Sequence, residues 1–142
     1  MFLANWVRTL PVLFRLRKAK RNCDLNGVVS TLQHLSAKHS RNPHAVDVER
    51  ARKLERLVLD ADARWSLHPG NCLHQSVALY ELLRASGLMA EMKFGVRTLT
   101  GHFESHAWIE HNSTVLLDEN QIAEVFTVME TTRVSKDGQP SL

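Results

Sequence analysis

The apolar positions of this chain change period at Gly87: before it they recur at helical spacing, and after it they alternate. Phe2, Leu3, Trp6, Val7, Leu10, Leu13 and Phe14 predict an amphipathic N-terminal helix, which Pro11 is expected to kink or divide. Leu25, Val28, Val29, Leu32 and Leu35 predict a second helix, with Asp24 placed to cap it. After a loop at 39–42, Asn42-Pro43 reads as a cap followed by proline at the first helical position. Val46, Ala51, Leu54, Leu57, Val58 and Ala61 then carry a third helix to about Trp65. Its charged positions, Glu49, Arg50, Arg52, Lys53, Glu55 and Arg56, mix both signs and read as solvated surface.

The stretch 70–87 organises the rest. Gly70-Asn71 is a turn signal and Gly87 a helix stop. Leu73, Val77, Leu79, Leu82 and Leu83 wrap most of the helix between them, leaving His74, Glu81 and Arg84 as a narrow polar stripe. Such a helix is central and largely buried. Beyond Gly87, Met92, Phe94 and Val96 alternate with Lys93, Gly95 and Arg97, the pattern of a half-buried strand. A polar loop is expected at 98–103, a second strand at 105–110 and a third at 114–119. Ile122, Val125, Phe126 and Met129 fit a helix face, yet the β-branched run at 125–132 favours a strand. Residues 135–142 read as a frayed tail. Helices first and an antiparallel sheet after is an α+β arrangement, with the N-terminal helices and a buried cysteine-bearing helix packed on the sheet. Residues 1–134 are expected to form one domain, helical over 1–64.

Composition narrows the class. The 142 residues are 44% apolar and 23% charged, as in a globular domain with one core. Two cysteines, Cys23 and Cys72, are too few for a disulfide scaffold and point to a reducing compartment. With no secretory signal and no apolar run long enough to span a membrane, a cytoplasmic location is expected. The net charge of +3 is unevenly placed: Arg8, Arg15, Arg17, Lys18, Lys20 and Arg21 supply a third of the 18 basic residues. Three readings of that segment stand: a solvated basic face, a docking surface for an acidic partner, and membrane-surface contact. No Gly-rich phosphate loop and no nucleic-acid partner are expected.

The chemistry centres on Cys72, the first residue of the central helix. The macrodipole and the free N–H groups of a first turn stabilise thiolate over thiol, and could also hold an oxyanion. A small apolar residue at a helix start is the bland alternative. Thiol catalysis needs a base and a group that orients it. His106 on the second strand and Asp118 on the third supply both types. A two-residue turn at Asn112-Ser113 would pair His106 with Glu119 and turn Asp118 to the other face. A three-residue loop at 111–113 instead pairs Glu110 with Thr114, Trp108 with Leu116 and His106 with Asp118, and is the register expected here. Trp108 shares the His106 face and is either substrate-facing or a core aromatic. Cys23 has no partner at catalytic spacing and reads as structural. Eight histidines invite a metal reading, but His68, Cys72 and His74, and His102, His106 and His111, lack zinc-site spacing. No metal and no cofactor are expected, and His102 and His111 read as exposed loop residues.

The motifs C-L-x-x-S-x-A-L-x-x-L-L-x-x-x-G (72–87), F-G-V-R (94–97), H-A-W-I-E (106–110) and L-D (117–118), in that order and spacing, resemble the lasso-peptide B2 family. These are transglutaminase-like cysteine proteases, the leader peptidases of lasso-peptide biosynthesis. The match covers about half the chain, roughly Trp65 to Phe126; the N-terminal helices match only in type. The resemblance implies a papain-like/transglutaminase core, the catalytic part over 65–130, with Cys72 as nucleophile, His106 as base and Asp118 as orienting group. It implies cleavage of a ribosomal precursor at the end of its leader, freeing an α-amine for a separate ATP-dependent macrolactam cyclase. Some family members carry an N-terminal leader-gripping domain, which 142 residues are not expected to hold beside the protease core. A separate leader-binding B1-type protein, a recognition element for ribosomal precursor peptides, is therefore expected as a partner. It would dock on the apolar and basic segment 2–21 or, in preference, on the exposed edge of the sheet over 92–119. Acyl transfer by the same triad, or an inactive peptide-binding module, are the alternatives.

Overall fold

A computed structural model of the chain describes residues 2–27, 30–31, 33–34, 45–67, 69–118 and 122–131. Helix α1 (Phe2–Asn26) is followed by α2 (Val48–Trp65) and α3 (Cys72–Ala85). Strands β1 (Glu91–Leu99), β2 (His102–His111) and β3 (Thr114–Leu116) come next, then a single turn α4 (Ile122–Val125) and strand β4 (Thr127–Thr131). The strands form one antiparallel sheet in the order β3-β2-β1-β4. The architecture is α+β, as the change of hydrophobic period predicts. Among the described residues, no helix is long and apolar enough to cross a membrane.

Helix α1 runs on through Pro11 to Asn26, undivided. It ends at Gly27, whose φ of +80° lets its N–H return to the Cys23 carbonyl at 3.1 Å, the left-handed glycine cap. Asp24 and Leu25 thus lie in the last turn of α1, and Asp24 caps no second helix. Of that second helix, residues 30–31 and 33–34 are helical, with the Thr31 N–H donating to the Gly27 carbonyl at 3.2 Å; positions 28, 29, 32 and 35 lie outside the described residues. The buried stripe of α1 is Thr9, Val12, Leu13, Leu16 and Ala19, while Leu10 and Phe14 point outward. Helix α2 begins at Val48, not near Asn42-Pro43, which lies outside the described residues. Asp47 is its cap, accepting from the Arg50 N–H at 3.0 Å.

Helix α3 starts and stops where its sequence signals stand. Asn71 Oδ1 accepts from the His74 N–H at 3.1 Å. At the other end Gly87 N–H reaches the Arg84 carbonyl at 3.0 Å and Leu88 N–H the Leu83 carbonyl at 2.9 Å, a complete Schellman motif. Every residue from Ser76 to Arg84 is buried, including the polar Glu81 and Arg84. The helix packs on α1, α2, β1 and β2, and its apolar residues share one core with Met92, Ala107, Ile109 and Leu116 of the sheet.

The loop expected at 98–103 is shorter than its polarity suggested. β1 and β2 stay paired out to Leu99 and His102, and Thr100-Gly101, both at positive φ, make a two-residue turn. His102 is exposed but on the strand. His111 is fully buried rather than in an exposed loop. Its Nδ1 donates to the Met89 carbonyl (2.6 Å) and its Nε2 accepts from the Asp47 N–H (3.0 Å), so the ring ties the start of α2 and the exit of α3 to the end of β2. The terminal segment combines both readings made of it: a helical turn to Val125, then a strand from Thr127. Residues 132–142 lie outside the described residues.

Candidate active site

Strand β2 positions His106 on the face it shares with Trp108. Directly across the ladder lies Gly95 of β1. The imidazole sits 6.2 Å from the Trp108 ring and 5.6 Å from that of Phe126. Trp108 is wholly buried in a second cluster with Val115, Ile122 and Phe126. It is a core aromatic beneath the imidazole, not a substrate-facing one. Its indole N–H donates to Glu110 at 3.4 Å, and Glu110 forms an ion pair with Lys93 of β1 at 2.7 Å. Gly95 is what admits the rings: a Cβ there would lie 2.6 Å from Phe126 Cβ and 2.9 Å from Trp108 Cζ3.

The β2–β3 register is the two-residue one, correcting the expected three-residue loop. His111 pairs with Thr114, Glu110 with Val115 and Ile109 with Leu116, around Asn112 and Ser113 at φ +48° and +68°. Two positive-φ residues make the turn whose twist matches the strands, and asparagine tolerates that conformation well. A continued β3 would then send Asp118 to the far face. It does not continue. Leu117 adopts φ +67°, ending the strand after Leu116 and turning the chain, and the Asp118 carboxylate meets His106 Nε2 in a hydrogen bond. Imidazole and carboxylate are each about four-fifths buried. With Nε2 engaged, Nδ1 is the ring nitrogen left to act on a thiol.

Cys72 is the first residue of α3 and is partly exposed. Asn71 takes up the His74 N–H, leaving those of Cys72 and Leu73 without an acceptor inside the helix. The structure joins His106 to Asp118 but draws no hydrogen bond between Cys72 and either of them. α3 does pack against β2, the strand that carries the imidazole. Asn71 and His74 also line a cleft of about 420 Å³, bounded by Leu13, Leu16, Lys20 and Trp65. Burial pushes the His74 imidazole below its ordinary pKa; Asp24 and Asp62 oppose that and Lys20 adds to it. Cys23, in α1, has its thiol pushed up, first by burial and further by Asp24, against a hydrogen bond with Thr31. Among the described residues, no three His, Cys, Asp or Glu side chains converge as a metal site.

Sequence reasoning missed two carboxylates on α2. Asp62 accepts from the Gly70 N–H at 2.8 Å and from Gln75 Nε2 at 2.7 Å, bracing the start of α3. Glu55, assigned to solvated surface, is buried and accepts from the Leu117 N–H at 2.6 Å. A signal was present: Ala51, Glu55, Val58 and Asp62 follow one helical stripe, and a carboxylate on an apolar stripe needs a buried partner.

A family model described as the transglutaminase-like superfamily matches residues 12–131. No curated protein and no solved structure matches the chain.

Proposed function

The chain belongs to the transglutaminase-like superfamily, and from that premise we propose that it is a cysteine peptidase that removes the leader from a ribosomally made lasso-peptide precursor. The observation that carries the reading is the His106–Asp118 hydrogen bond through Nε2. It fixes the tautomer and frees Nδ1 to take a proton from a thiol. Cys72, at the dipole-positive end of α3, is the nucleophile of this reading. Its thiolate attacks the scissile carbonyl while the first-turn N–H groups receive the oxyanion. His106 then passes the proton to the departing amine, the α-amine of the core peptide. Water, deprotonated by His106, resolves the thioester and releases the leader. The free amine is the group that an ATP-dependent cyclase would join into the macrolactam.

A separate leader-binding protein is part of the proposal. An extended leader held in an open cleft loses conformational entropy for each residue fixed, and a partner that grips it makes cleavage effectively intramolecular. Two surfaces suit that partner: the β4 edge, which ends the sheet among the described residues, for strand addition, and the outward face of α1, where Leu10 and Phe14 are exposed among basic residues.

The test is a cleavage assay of purified chain with precursor, with and without the leader-binding protein, resolved by mass. Scission at the leader–core bond, lost in Cys72→Ala and accelerated by the partner, is expected. Equal rates with and without partner at low substrate would remove the partner from the proposal. A product carrying an added amine in place of water would mark amide transfer, and wild type no better than Cys72→Ala would mark a binding module.

A further inference from the structure

We propose that Glu55 is a positioning residue of this site, acting through the backbone of Leu117 to aim Asp118 at His106; the inference rests on the peptidase reading above. Leu117 is the one residue between the end of β3 and Asp118. Its φ of +67° lies in the left-handed region that a residue with a Cβ disfavours, so something must hold it. Its N–H donates at 2.6 Å to Glu55 Oε2, 62 residues earlier in the chain. Glu55 is itself 9% exposed, on the inner stripe of α2, with Arg52 Nη1 bonded to both its oxygens at 3.1 and 3.2 Å. Those partners occupy both oxygens of a carboxyl this buried, so the Leu117 N–H meets an acceptor held in place from the far side.

The bond acts at the point where the two-residue turn register would otherwise send Asp118 to the wrong face. Without the acceptor, Leu117 is free to relax to ordinary extended geometry. Each residue of continued strand reverses the side-chain direction, so Asp118 would swing from the imidazole. Asp62, seven residues on and on the same stripe, does the corresponding work at the other half of the site through Gly70 and Gln75. Helix α2 thereby holds the start of the cysteine helix and the orienting carboxylate in one frame.

The test compares Glu55→Gln, Glu55→Asp and Glu55→Leu in the full chain. Three quantities are read: the thermal midpoint, the rate of iodoacetamide alkylation at Cys72 by peptide mass mapping at mildly acidic pH, and kcat and KM for the precursor. Gln keeps an oxygen that reaches the Leu117 N–H and should stay within a few-fold of wild type. Asp retains the charge but falls one methylene short, and Leu has no acceptor. Both should lose about 10- to 100-fold in alkylation rate and kcat with KM nearly unchanged, the scale of a misplaced catalytic group. Folded Asp and Leu variants with wild-type rates would overturn the inference, and so would a Gln variant as slow as Leu. If Leu fails to fold, the Asp and Gln pair decides. Wild-type Cys72 alkylation that is unaffected by His106→Ala would instead refute the peptidase reading, and this inference with it.

Discussion

Gly95→Ala tests whether the imidazole stands on two rings that need an empty position beneath them. An alanine Cβ at this site would lie 2.6 Å from Phe126 Cβ and 2.9 and 3.0 Å from Trp108 Cζ3 and Cη2, roughly 1 Å inside ordinary carbon contact. Phe126 Cβ is fixed to its backbone, and Trp108 is wholly buried, so neither moves cheaply. The ladder is also irregular here, with the β1–β4 register shifting between Phe94 and Gly95. Overpacking costs about 1–3 kcal/mol, and contacts of 2.6 and 2.9 Å against atoms that do not yield put this one at the upper end. Against it stands about 0.5–1 kcal/mol gained by replacing glycine in a strand. The net expectation is a loss of about 2 kcal/mol, roughly a 30-fold fall in the folded-to-unfolded ratio. That corresponds to a thermal midpoint lower by roughly 5–10 °C. Urea unfolding followed by tryptophan fluorescence, with equal slopes required for wild type and variant, measures it. Because the same rings flank His106, Cys72 alkylation should slow as well. An unchanged or raised midpoint would refute the reasoning, since the Cβ would then fit where the packing says it cannot.

Cys72→Ala should abolish cleavage without moving the unfolding midpoint, His106→Ala should cost as much, and the double variant no more than either, because groups acting as a unit are not additive. Asp118→Asn should fold and lose less, since an amide N–H facing the imidazole favours the wrong tautomer while β2 still aims the ring. Iodoacetamide at neutral pH should modify Cys72 before Cys23, whose thiol burial pushes up; mass mapping that finds Cys23 first would contradict this. Asp62→Asn should remove an acid-dependent part of the stability. Burial raises that carboxyl, but hydrogen bonds from Gly70, Ser66 and Gln75, with His74, outweigh it and leave it below the ordinary range. A depressed carboxyl stabilises the fold above its unfolded pKa and loses that contribution as pH falls through the folded one. The gap in unfolding free energy between wild type and Asp62→Asn should therefore close on acidification, and a gap independent of pH would count against the assignment.

What the chain declares by itself is local. The cap at Asn71, the stop at Gly87, the wrapped apolar surface of α3 and the alternation of β1 are each set by neighbours within a few residues, so periodicity and capping chemistry suffice to read them. The pairing of Cys72, His106 and Asp118 as candidates is likewise legible, because their residue types and the elements beneath them are. The contact between His106 and Asp118 is a different matter. The register expected from sequence reached it by an extra loop residue, whereas the fold reaches it through a short turn and a left-handed Leu117. No local signal marks Leu117, since leucine prefers ordinary backbone geometry; its conformation is held by Glu55 from a helix 62 residues away. Glu55 in turn looked solvated because charge alone does not reveal which side of α2 the rest of the chain will cover. His111 was misread for the same reason, its partners Asp47 and Met89 arriving from segments distant in sequence. Burial and long-range hydrogen bonds exist only once the layers have packed, and those are what turn a plausible set of residues into a carboxylate aimed at an imidazole.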